Sequence, residues 1–113
     1  MKHKRKRVMK IIDEITNFLF YVGAKKISID YEENDEGFLI TLEGNYKKEK
    51  IKEIYNLVKY LNYEKEEEME EYYWELSGNY DMDTELTLVG MMTDDAKVYY
   101  DNDKVTIFLV RYK

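Results

Sequence analysis

Apolar and polar residues alternate one by one in two separate parts of this chain, and that period limits what the chain can become. Phe38, Ile40 and Leu42 alternate with Leu39, Thr41 and Glu43, and Val105, Ile107 and Leu109 form a second such series. A period of two sends successive side chains to opposite faces of an extended strand. Ile27, Ile29 and Tyr31 alternate in the same way with Ser28, Asp30 and Glu32. The stretch from Asn34 to Gly37 between the first two runs is turn chemistry. These residues predict an antiparallel hairpin with one buried face. "AKVYYDNDKVTIFLVRYK" predicts a second hairpin, with "DNDK" as its turn. Phe108 and Val110 lie on the opposite face of its last strand, so that strand is either covered on both sides or meets a partner.

The rest of the chain has a helical period. Val8, Ile11, Ile12, Ile15, Leu19 and Val22 share one face, with Lys10, Asp13, Glu14 and Asn17 on the other. Gly23 is a natural stop, which places a helix over about 6–22. Ile51, Ile54, Val58 and Leu61 mark a second helix. "EKEEEMEEYYWELSGNY" predicts a third, with glutamates at the end where the helix dipole favours negative charge. "DMDTELTLVGMMTDD" carries both periods. Leu86, Val89 and Met92 suit a short helix, and Leu86 with Leu88 suits a strand. Asp83 or Thr84 as a cap favours the helix. The expected fold is a single α/β (α+β) domain over 1–113, a two-layer sandwich. It has a mixed sheet of two hairpins and helices packed on one face.

Composition narrows the chemistry. The 113 residues contain no cysteine, and the only histidine is His3. That leaves no thiol nucleophile, thiolate metal site, Ser-His-Asp triad or His-rich zinc site. A net charge of -6 argues against general nucleic-acid affinity. "DMDTE" and "DNDK" begin like calcium loops but lack the central glycine and distal glutamate, so no metal site is expected. No secretory signal is read, because Lys10, Asp13 and Glu14 interrupt the apolar run after "MKHKRKR". With no long apolar span, a cytoplasmic location is expected.

The segment "TNFLFYVGA" and the element order bring in a family resemblance. The chain resembles the histidine-kinase-like ATPase fold, also called the GHKL or Bergerat fold. That family's first helix carries N-L-L-x-N-A, whose second asparagine holds the magnesium of ATP. Asn17 lies over the first asparagine and Tyr21 over the second. A neutral phenol is a poor substitute for an amide oxygen on Mg²⁺. The family's D-x-G-x-G motif falls on "LEGNYKKEKI", where Glu43 lies over the aspartate and Gly44 supplies one glycine. Its glycine-rich phosphate motif falls on "TELTLVG". There Leu86 and Leu88 keep apolar positions, while Thr84, Glu85 and Thr87 replace small ones. A glutamate there repels a triphosphate. The helix, strand, turn and strand at the end follow the family's layout. The resemblance implies a kept scaffold with vestigial nucleotide positions, no bound cofactor and no catalytic residue.

Three other stretches attract attention. Residues 1–7 form a basic arm suited to RNA, DNA or anionic lipid, or else a solvated lead into the first helix. "EKEEEMEE" suits a basic partner or a solvated helix face. Tyr72, Tyr73 and Trp74 are consecutive, so they cannot all face one core. With Tyr80 they are candidate partner-binding residues, beside Phe108 and Val110. The functional expectation is a non-catalytic regulatory or protein-interaction module, with a protein partner and homo-oligomerisation open. The alternatives are a divergent nucleotide-binding ATPase or kinase-like domain using Asn17, Glu43 and Asp30, and an RNA- or membrane-associating protein using the arm.

Overall fold

The computed structural model describes residues 4–62 and 82–113. Helix α1 (Lys4–Tyr21) leads into the hairpin β1 (Ile27–Glu33) and β2 (Gly37–Asn45). A single 3-10 turn (Lys48–Lys50) opens α2 (Ile51–Leu61). Helix α3 (Met82–Met92) then precedes the hairpin β3 (Asp95–Tyr100) and β4 (Lys104–Tyr112). The sequence-predicted glutamate-rich helix lies outside the described residues, and so do Tyr72, Tyr73, Trp74 and Tyr80.

Both hairpin turns are closed by an acceptor side chain of the kind the sequence suggested. Asn34 Oδ1 accepts the amides of Glu36 (2.9 Å) and Gly37 (3.1 Å). Asp101 Oδ1 accepts those of Asp103 (3.1 Å) and Lys104 (3.0 Å). Such side chains mimic a backbone turn and set the register of the strands behind them. The two hairpins join through β2 and β4, giving the order β1-β2-β4-β3. All three pairings are antiparallel, where a mixed sheet was expected. The reason lies in the connection: the chain leaves β2 at Asn45 and returns to pair Lys104 opposite that same residue, so β4 runs against β2.

The register sorts the strands into two faces. Phe38, Ile40 and Leu42 of β2 and Val105, Ile107 and Leu109 of β4 are buried under the helices. From α1, Ile11, Ile15, Phe18 and Leu19 reach the same core, and α2 adds Ile54, Leu57 and Leu61. Each such side chain contributes about 1.5–3 kcal/mol relative to exposure. The ambiguous segment is the helix α3, and every residue from Glu85 to Thr93 is buried. Helix α3 packs against both α1 and α2 over the sheet. Gly90 permits the close approach, since a Cβ there would lie 2.5 Å from the Tyr60 carbonyl oxygen.

Two expectations need correction. Ile29 and Tyr31 are on the helix side of β1, yet 48% and 43% exposed. β1 is an edge strand, and α1 packs on β2 instead. Glu14, expected on a solvated face, is buried between α1 and α3. Residues 4–7 of the basic run form the first turn of α1, and Arg7 is only 5% exposed.

Candidate interaction surfaces

The positions that resemble a nucleotide site do not converge. Asn17 is exposed on α1. Tyr21 ends that helix with its ring beneath the Lys50 ammonium, 4.5 Å from Nζ to the centroid. Glu43 alternates with the buried Leu42, so it points away from α1, α2 and α3. There it pairs with Lys104 at 3.0 Å, and that contact raises the Lys104 pKa above 10.5. The inward residue at this end of β2 is Gly44, packed against the side chains of Leu19 and Ala24. Leu86 is buried in the core. Asp30 faces outward with Glu43, on the far side of the sheet from Asn17. Among the described residues, no group of acidic or histidine side chains has metal-binding geometry.

The face of the sheet turned away from the helices has a different character. In one row across the strands Leu39 pairs with Val110, and in the next Thr41 pairs with Phe108. Leu39 and Phe108 are each 40% exposed. The Tyr99 ring meets the Phe108 ring edge-on at 5.7 Å. Asp95, Lys97, Tyr99, Phe108 and Val110 border a shallow groove of about 320 Å³. Aromatic and aliphatic side chains exposed together on an ordered sheet can be buried by a partner with little loss of backbone freedom. Phe108 and Val110 were legible as outward residues. Tyr99 was not, because the β3 register that brings it beside Phe108 is a tertiary fact.

A third feature is a charged seam inside the helical layer. Lys10 Nζ lies 2.9 Å from Glu85 Oε2 and 3.4 Å from Glu14 Oε1. Burial raises the Glu14 pKa above 4.5, with repulsion from Glu85 adding to it and Lys10 opposing it. Burial disfavours the Lys10 charge, but the close contact with Glu85 and the negative charge of both carboxylates outweigh it, leaving the pKa raised above its usual value of 10.5. The seam locks α1 to α3. Its sequence signal was Glu85 within an apolar helical run, a placement that demands a cation nearby.

Among the described residues, no helix is long and apolar enough to cross a membrane. Comparison with models of known protein families, with curated proteins and with solved structures finds no match.

Proposed function

We propose that this chain is a non-catalytic regulatory or protein-interaction module on a histidine-kinase-like ATPase scaffold that has lost its ATP site. The observation that carries the reading is the apolar outer face around Leu39, Phe108 and Val110, beside a helical layer already filled by side chains. Three details support the loss of nucleotide binding. Gly44 is covered by Leu19 and Ala24, Glu43 is committed to Lys104 on the opposite face, and Lys50 caps the Tyr21 ring.

Two measurements test the two halves of the reading. In a backbone-amide NMR titration, millimolar ATP with Mg²⁺ leaves the signals of Asn17, Tyr21 and Gly44 in place. Shifts clustered at those residues would overturn the lost-site half. For the interaction half, a photo-crosslinking residue at position 108 yields a discrete protein adduct in cells, which Leu39→Asp abolishes. A crosslinker at Lys52, exposed on α2 away from this face, serves as the control. Equal adducts from both positions, or none from 108, contradict the interaction half.

A further inference from the structure

β1 is an edge of the sheet, and among the described residues no strand pairs with its open side. Which of its backbone groups face that side follows from the hairpin. The Asn34 amide donates to the Gly37 carbonyl at 2.9 Å, and the register then runs unbroken from Glu33↔Phe38 to Ile27↔Gly44. In an antiparallel ladder, alternate residues send both amide and carbonyl to the same neighbour. Ser28, Asp30 and Glu32 share the parity of Asn34 and bond to β2. Ile27, Ile29, Tyr31 and Glu33 therefore offer their amides and carbonyls to the open edge.

The sequence from Lys25, two residues before the strand, to Glu33, "KKISIDYEE", is charge-complementary to itself when reversed. With Ile29 opposite Ile29 of a second copy, Ile27 meets Tyr31, Lys26 meets Glu32 and Lys25 meets Glu33. The neighbouring registers of the same parity are worse. Centring on Asp30 opposes two aspartates, centring on Tyr31 opposes Asp30 to Glu32, and centring on Ser28 keeps only Lys26 against Asp30. Directly opposed unlike charges stabilise a strand pair and like charges destabilise it.

Exposed apolar residues also lie along this edge. On the helix side Ile29 and Tyr31 are about half exposed, and on α1 Met9 is 65% exposed. Phe20 follows Met9 by three helical turns on the same face and is equally open. A cleft of about 510 Å³ runs between α1 and β1, bordered by Met9, Ile12, Tyr31 and Phe38 among others.

We propose that two copies of this chain pair antiparallel through β1, about a two-fold axis at Ile29, to make a continuous eight-stranded sheet. Each Lys26 faces the partner's Glu32 on the outer face, and on the helix side Ile29 faces the partner's Ile29 and Tyr31 the partner's Ile27. Lys26 and Glu32 carry most of the register. Glu33 already holds Lys113 of its own chain at 3.1 Å, so the Lys25 contact is shared. This pairing is independent of the outer-face reading above, which leaves the partner's surface on β2, β3 and β4.

Sedimentation equilibrium of the full chain, from micromolar to millimolar concentration, reads the outcome. The expected mass is twice 13.8 kDa. Glu32→Lys and Lys26→Glu each weaken the dimer about tenfold or more, since each turns two symmetric attractions into repulsions. Combining them restores it. Ile29→Pro removes an amide that β2 does not use, so it abolishes the dimer and leaves the circular dichroism of the monomer intact. Phe108→Ser leaves the mass unchanged. A monomer throughout the range overturns the proposal. So does a dimer indifferent to the single charge reversals, or a combined variant that fails to regain the mass.

Discussion

Lys10→Met tests the charged seam between α1 and α3 directly. Methionine keeps most of the aliphatic stem, so the change removes a cation with little loss of packing. Glu85 and Glu14 keep only 3% and 7% of their side-chain surface in water, and Lys10 keeps 18%. Two unit charges 4 Å apart interact by about 4 kcal/mol at an effective dielectric constant near 20. Removing one member of a buried pair costs about 3–5 kcal/mol, because the remaining charge stays buried without compensation. The partial exposure of Lys10 sets the expected loss at the low end, about 3 kcal/mol, or a fall in Tm of roughly 12 °C. The pH dependence has a definite sign. Burial already raises the Glu14 pKa above 4.5 in the folded protein, and Lys10 opposes that rise. A carboxyl whose folded pKa exceeds its unfolded value stabilises the fold below the unfolded value, and that stability is lost as pH rises through the folded pKa. Without Lys10 the folded pKa climbs further, so the deficit is full at neutral pH and shrinks as pH falls toward 4.5. Urea unfolding at neutral pH and near pH 5 measures both effects. A loss below about 1 kcal/mol, or a deficit that ignores pH, would refute the argument. Replacing Glu14 and Glu85 by glutamine in the same variant recovers most of the stability.

Three further changes have clear expectations. Gly90→Ala drives a Cβ into the carbonyl oxygens of Tyr60 and Leu61, which are backbone atoms, and calorimetry should show a loss of about 3 kcal/mol. Gly23→Ala places an L residue at φ 94°, so its cost of about 1–2 kcal/mol should appear in urea unfolding without loss of the α1 signal. Tyr46→Phe removes the hydroxyl that donates to the Asp101 carbonyl. It should cost about 1–2 kcal/mol and speed amide exchange at Asp103 and Lys104.

Much of the scaffold was legible because local chemistry and long-range packing agree. The alternation of Phe38, Ile40 and Leu42 predicts the buried face that is found, and Asn34 and Asp101 close the turns that the sequence marks. Val8, Ile11, Ile15 and Leu19 predict α1, and α1 buries them. The failures share a physical cause. Alternation states which side of a strand is apolar, not whether anything covers it. Ile29 and Tyr31 therefore resemble core residues in sequence and stand half open at an edge. Glu14 fails in the opposite sense: a carboxylate four residues from Lys10 looks like an ordinary surface pair until Glu85 arrives from α3.

The positions that resemble a nucleotide motif show where motif matching and strand geometry part company. Matching by chemistry pairs Glu43 with the family's aspartate. Parity along β2 already assigns Glu43 to the face opposite Leu42, and a one-residue offset on a strand moves a side chain to the other side of the sheet. The residue that reaches the helical layer at this end of β2 is Gly44, and Leu19 occupies the space beside it. A carboxylate introduced at Gly44 would meet Leu19 before it met a ligand. Building a polar pocket there requires changing both residues, since a new acid facing an apolar wall is buried without a partner. The two positions act as one unit, and their present pairing of glycine with leucine is a packing solution.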